Sequence, residues 1–267
     1  MLRMGVIGYG YWGPNIVRNF NAAAGAHVAA VCDVSVDLLN KVTKTYPAVT
    51  VTSNPDDILT SPVIDAVAVV TPVSTHFDLA KKALENGKHV FVEKPFTSTS
   101  DQAQELIEIA DKKNLTIMVD HTFLFTGAVK KIKEMIDDGA LGKLLYYDSM
   151  RVNLGLFQHD VNVVWDLAPH DFSVMDHVIQ QKPLALSATG EVHYNAFEDV
   201  AYVTVYCEDN VIAHLAVMRD MAVRHKQIVA AYPSYAPAAR GSAVQGYKFP
   251  EYIIVPDFKP CLFSFIF

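Results

Sequence analysis

Residues 5–15 read Gly-Val-Ile-Gly-Tyr-Gly-Tyr-Trp-Gly-Pro-Asn. An apolar run from Leu2 to Ile7 enters three glycines spaced as Gly8-x-Gly10-x-x-Gly13, and Ile16, Val17, Asn19 and Phe20 continue as a helix. A strand, a tight glycine turn and a helix start satisfy this spacing together. Gly8 allows the turn, Gly10 lets backbone approach a pyrophosphate, and Gly13 lets helix and strand pack closely. The helix N-terminus offers N–H groups and a positive dipole end to phosphates. Pro14 suits a first helical turn, where no intrahelical N–H bond is lost. A second apolar run, Val28–Cys32, ends in Asp33, twenty residues after Gly13. The pattern predicts a dinucleotide site. Gly8, Tyr9, Gly10, Tyr11, Trp12 and Gly13 form its phosphate loop, and Asp33 accepts from ribose hydroxyls. A carboxylate there repels a 2′-phosphate, and Val34-Ser35-Val36-Asp37 brings no Arg or Lys to receive one. NAD is therefore expected over NADP. Asp33 could instead cap a helix, although Ser35 would serve as well.

The chain goes on alternating strand and helix. Asp65–Val70 is a near-continuous apolar run, the mark of a parallel strand buried on both faces. It ends at Thr71-Pro72, at a strand's C-terminal edge, where open α/β sheets place ligands. Ser74-Thr75-His76 opens a helix that Gly87 closes, and Lys88–Val92 is the next strand, carrying Glu93-Lys94-Pro95 at its C-terminal edge. A helix over 100–113 and a strand over 116–119 complete the half. The expectation is a doubly wound parallel sheet over residues 1–121.

The pattern changes after Asp120. Gly127–Asp138 reads as an amphipathic helix closed by Gly139. Strands follow over 143–153, 184–192, 200–207 and 211–217, the last two as a hairpin around Glu208-Asp209-Asn210. Between them, the stretch from Val163 to Phe172 leads into a helix running to about Gln180, with Asp166 as N-cap and Pro169 in its first turn. Asp166 and His170, four apart, share one face of that helix. Residues 122–267 are expected to form an α+β domain with a mostly antiparallel open sheet.

The 267 residues are 51% hydrophobic, enough for two cores, and a net charge of −7 gives no basic field for nucleic acid. The scattered Cys32, Cys207 and Cys261 suggest neither a disulfide framework nor a zinc site, which points to a reducing cytoplasm. A strand beginning almost at Met1 leaves no room for a signal peptide, and no apolar run approaches the roughly 20 residues of a membrane helix. His159 and Asp160 have no third ligand at useful spacing, so no metal site is expected.

The Gly8–Gly13 fingerprint, Glu93-Lys94-Pro95, and Trp165-Asp166-Leu167-Ala168-Pro169-His170-Asp171, in that order, resemble the glucose–fructose oxidoreductase / inositol dehydrogenase family over residues 1 to about 217. Arg151-Val152-Asn153-Leu154-Gly155-Leu156-Phe157 looks most like the branch acting on nucleotide sugars in polysaccharide and deoxysugar pathways, some of whose members oxidise C3. The resemblance implies an N-terminal Rossmann domain and a substrate-carrying open sheet that often makes the dimer contact, hence a homo-oligomer if that sheet is complete. It places Lys94 at the substrate, matches Asp166 and His170 to the family's acid and histidine, and puts Glu93, Thr71, Pro72 and His76 beside the cofactor. His76 reads equally well as a first-turn helix histidine, and Trp165 as core or as a nicotinamide lid.

Chemistry agrees with those roles. Hydride removal from an alcohol needs a base for the hydroxyl proton, and histidine titrates in the useful range. A lysine at a strand end can reach a developing alkoxide. The expected assignment is His170 as general acid/base, Lys94 as electrostatic and proton-relay partner, and Asp166 holding the substrate or the lysine. Two other readings stand beside it: a non-catalytic NAD(H)-binding protein or inactive family member, and a free-sugar or inositol dehydrogenase. From about Met218 the sequence departs from the family pattern. Residues 232–242 lack periodicity, Pro250, Pro256 and Pro260 interrupt any strand, and 261–267 is strongly apolar. Residues 218–267 are thus expected to be an atypical tail, from truncation, a frame shift or lineage-specific replacement.

Overall fold

The computed structural model describes residues 1–153, 161–193 and 196–219. Two compact units share the chain, one comprising Met1–His121 and the other beginning at Thr122.

The first unit is a six-stranded parallel sheet built from β1 (Leu2–Ile7), β2 (Ala26–Cys32), β3 (Thr50–Thr52), β4 (Ala66–Val69), β5 (His89–Val92) and β6 (Ile117–Val119). The strand order is β3-β2-β1-β4-β5-β6, so the direction of winding reverses between β1 and β4. Helices α1 (Gly13–Ala22), α2 (Val36–Thr45), α3 (Asp56–Leu59), α4 (His76–Glu85) and α5 (Ser100–Lys113) connect the strands. All four residues of β4 are buried. Val67 and Val69 join one core cluster with Leu84, Val92 and Leu106, whereas Ala66 and Ala68 join another with Val17, Val31 and Val42. That two-sided burial is why the strand reads as an unbroken apolar run rather than an alternating one.

Local chemistry sets the helix ends. Ser35 caps α2 by accepting from the Leu38 N–H, and Thr99 caps α5 by accepting from Gln102. Helix α5 stops at Asn114, which takes the left-handed conformation at φ 54°. At the start of the short α3 the Asn54 carboxamide accepts from the Asp56 N–H at 3.2 Å.

In the second unit, α6 (Gly127–Asp137) precedes β7 (Tyr146–Asn153), α7 (Val163–Val178), β8 (Pro183–Glu191), β9 (Val200–Cys207) and β10 (Ile212–Arg219). The four strands run in the order β7-β10-β9-β8. β9 pairs antiparallel with β8 and β10, as the hairpin reading requires, but β7 pairs parallel with β10. The sheet is therefore mixed. β7 and β10 are far apart in sequence, so no hairpin constrains their direction. Helix α7 also starts earlier than expected. Its N-cap is Asn162, whose carboxamide accepts from Trp165, so Asp166 lies inside the helix and Pro169 in its interior. Val163, Leu167 and Ala168 bury against Ala201 and Val217 of the sheet. The expected atypical tail from 218, apart from Met218 and Arg219 in β10, lies outside the described residues, as do His159 and Asp160. Among the described residues no helix is long and apolar enough to cross a membrane, and no group of three or more His, Cys, Asp and Glu could hold a metal.

Candidate functional site

The glycine loop follows β1 and starts α1. Gly8 has φ +101°, and a Cβ there would lie 2.3 Å from the Val70 carbonyl oxygen. A Cβ on Gly13 would lie 2.5 Å from the Gly8 oxygen, whereas one on Gly10 would meet nothing within 4 Å. Two glycines thus close the loop against the sheet and against itself, and the third leaves open space over the backbone. No side chain caps the first turn of α1. Open space above a bare helix N-terminus is what a pyrophosphate needs, so the residues present fit a dinucleotide.

The loop predicts its own test. Gly8→Ala is expected to lose about 1–3 kcal/mol of stability, because its neighbour is fixed backbone and its φ is left-handed. Gly10→Ala should leave stability nearly unchanged while weakening NADH binding. Urea unfolding with and without NADH separates the two.

Asp33, just past β2, has both carboxylate oxygens in use. Oδ2 accepts from the Tyr9 N–H at 2.6 Å and Oδ1 from the Ser35 N–H at 2.8 Å. Each oxygen keeps a lone pair for a ribose hydroxyl, so the carboxylate braces the loop and can still read the sugar. The helix-cap alternative falls to Ser35. Tyr9 turns its ring into the core, leaving its backbone to the loop, whereas Tyr11 is exposed.

On the β4-β5-β6 side, His76 is 1% exposed at the start of α4. Its Nε2 lies 2.8 Å from the Thr71 oxygen and its Nδ1 2.9 Å from the Pro95 oxygen. Both ring nitrogens lie against backbone oxygens, so His76 ties the Thr71-Pro72 loop to the loop carrying Lys94. Lys94 is half-buried, directly after β5.

Sequence reasoning missed Asp120. It follows β6 as Glu93 follows β5, and the strands are neighbours in register, so the two acids stand side by side at the strand ends. Burial, with Asp120 beside it, pushes the Glu93 carboxyl up to about 8, and burial raises Asp120 as well. Burial pushes the neighbouring His121 down to about 4 and so keeps it neutral at pH 7. The available signal was position: an acid at the end of the third strand of this half of the sheet.

In the second unit, His170 packs against Phe123, ring centroids 4.7 Å apart, and the Arg151 guanidinium lies 4.6 Å from the other ring's centroid, that of Phe123. The next residue, Asp171, accepts from Arg151 and from the Ser149 hydroxyl at 2.7 Å. Asp166 pairs with Arg219 at the end of β10, and both are buried. Two aspartates of α7 are thus anchored to sheet arginines that sequence reading gave no role. The Asp166 carboxylate is committed at least in part to Arg219. Trp165 is half-buried.

Comparisons with known proteins accord with this arrangement. Residues 2–121 match the Gfo/Idh/MocA oxidoreductase family model with its NAD-binding Rossmann fold, and residues 129–232 match the C-terminal domain model of the same family. The chain is 29% identical to scyllo-inositol 2-dehydrogenase (NAD(+)) of Bacillus subtilis, over 74% of this chain and 58% of that protein. It is 28% identical to UDP-N-acetylglucosamine 3-dehydrogenase of Acidithiobacillus ferrooxidans, over 82% of this chain and 67% of that one. The crystal structure of Lactobacillus casei scyllo-inositol dehydrogenase with NAD(H) and scyllo-inositol shares the fold at a TM-score of 0.72 and 21% identity, covering 82% of this chain and 70% of the other. The chain spans only 56% and 58% of the length of two curated relatives, the Escherichia coli oxidoreductase YdgJ and the B. subtilis enzyme. With both domain models matched in order and the glycine cradle in place, the chain belongs to the Gfo/Idh/MocA family and carries its NAD-binding Rossmann fold.

Proposed function

We propose that this protein is an NAD-dependent oxidoreductase that removes hydride from, or returns it to, a sugar hydroxyl, with a nucleotide sugar as the leading substrate class. The observation that carries the reading is the sheet's C-terminal edge. The glycine cradle and Asp33 lie at the ends of β1 and β2, and Lys94 follows β5 on the other side of the winding reversal. Open α/β sheets bind dinucleotides across that reversal, which supports a lysine on the nicotinamide side. Bound there, the cofactor supplies hydride acceptance and donation at its nicotinamide ring. Lys94 would stabilise developing negative charge on the substrate oxygen, and His170 would take or return the hydroxyl proton. Asp166, through its pairing with Arg219, would hold the α7 turn that carries His170 rather than meet substrate alone. The Arg151–Phe157 stretch and the UDP-N-acetylglucosamine relative support a nucleotide sugar and a place in polysaccharide biosynthesis. The B. subtilis relative supports an inositol or free sugar as the second reading.

NADH is expected to raise the thermal midpoint of the purified chain and NADPH to raise it little. Binding at 100 times Kd adds about 2.7 kcal/mol to native-state stability. A panel of UDP- and TDP-sugars, free sugars and inositols with NAD+, followed at 340 nm, then discriminates the substrate classes. A response to NADH with turnover of no compound favours a non-catalytic NAD(H)-binding protein.

A further inference from the structure

Two carboxyls side by side in a buried site oppose each other's ionisation, so one proton shared between them is favoured. Glu93 and Asp120 follow the register-paired Val92 and Val119 at the ends of neighbouring strands β5 and β6. The pair is therefore held as one acid and one carboxylate. Trp12 of the glycine loop and Lys94 both favour its ionisation. Glu93 Oε1 is buried and has no hydrogen-bond partner among the described residues. An unpaired buried oxygen beside the loop that cradles a dinucleotide is a group waiting for a ligand.

The two forms of the cofactor differ in charge at one place. The oxidised nicotinamide ring is a cation and the reduced ring is neutral, whereas adenosine, ribose and pyrophosphate are common to both. We propose that Glu93 and Asp120 form a proton-sharing pair that reads this charge, keeping its proton when NADH is bound and releasing it to solvent when NAD+ binds. On NAD+ binding the Glu93–Asp120 monoanion becomes a dianion, one proton leaves, and the new negative charge is offset by the nicotinamide. On hydride transfer to the cofactor that cation disappears, and the pair takes a proton back.

Among the described residues, the charged and titratable groups around the pair are few. Lys94, on the strand end that carries Glu93, favours ionisation; the two acids oppose each other's charge; the Trp12 indole is a neutral donor; and His121, next to Asp120, is kept neutral by burial. Desolvation holds the shared proton on Glu93 up to about pH 8 in the free protein. A cation arriving at the pair is then sufficient to release it near neutrality.

The inference depends on cofactor binding and not on the identity of the sugar. The experiment is isothermal titration of the full 267-residue chain with NAD+ and separately with NADH, in two buffers of different ionisation enthalpy. Near pH 7, NAD+ is expected to expel close to one proton and NADH close to none. Between pH 6 and 8 the ratio of NAD+ to NADH affinity should rise by up to about tenfold per pH unit, the limit for one linked proton. Titration of Asp33 or of the phosphates cancels in that ratio. Glu93→Gln should flatten the ratio, and Asp120→Asn should do the same. Equal proton counts for the two nucleotides, or a ratio in Glu93→Gln as steep as in the wild type, would overturn the proposal. If both variants fail to fold, the wild-type buffer comparison still decides. A chain that binds neither nucleotide would overturn the cofactor assignment along with it, an outcome distinct from equal proton counts.

Discussion

His170→Asn is expected to lower kcat by about 10²- to 10⁴-fold, the range for removing a positioned general acid/base, while leaving NADH binding intact. The reasons are local. His170 packs at a tilt against Phe123, which is itself covered by Arg151, and the following residue is fixed to β7 by two hydrogen bonds. The imidazole is thus placed by its neighbours rather than left to wave in solvent, which is the condition for efficient proton transfer. Asparagine keeps a polar group of similar reach but cannot exchange a proton near neutrality. The measurement is turnover with whichever panel compound proves active, beside NADH titration of the same variant. Loss of turnover with unchanged cofactor affinity supports the role. Turnover within a few-fold of wild type removes His170 from the chemistry, and Lys94→Met under the same assay then shows whether the lysine carries the proton alone.

The glycine fingerprint was legible because its demands are local. A left-handed turn at Gly8 and a close approach at Gly13 are set by residues a few positions apart, and the strand and helix around them are short-range patterns. The doubly wound parallel sheet was equally readable as a class, since buried runs such as Ala66–Val69 have one common explanation. What the sequence concealed lies in pairs far apart in the chain. Glu93 and Asp120 meet because β5 and β6 are adjacent, and no spacing rule announces a carboxyl pair across 27 residues. His76 read as either cofactor contact or helix opener. It opens α4, and its ring nitrogens also lie against two backbone carbonyls, a contact set by residues 5 and 19 positions away. Asp166 looked like a cap from its place before Pro169, but Asn162 is an equally good cap one turn earlier, and only the fold shows that Asp166 is needed elsewhere.

Arg219 is the other half of that need, and its removal is expected to be costly. Arg219 is 5% exposed and Asp166 6%, and the arginine's backbone N–H also donates to the Asp199 oxygen at 2.9 Å. The Asp199 carboxylate in turn accepts from the His193 backbone N–H at 3.0 Å through Oδ2, and its Oδ1 lies 2.7 Å from the His193 Nδ1. Arg219→Met keeps much of the apolar stem but leaves the buried Asp166 carboxylate without its cation. Breaking a buried pair from one side costs about 3–5 kcal/mol, because the remaining charge stays desolvated. The double variant Asp166→Asn/Arg219→Met removes both charges and should recover most of that loss. Thermal and urea unfolding of the three variants measures the difference, and NADH binding reports separately on the first unit. Equal destabilisation in single and double variants would mean that shape rather than charge holds α7 to β10. Recovery of stability in the double variant without recovery of turnover would instead show that the pair is there for the chemistry of α7, with its charge retained at a cost in stability that the rest of the sheet offsets.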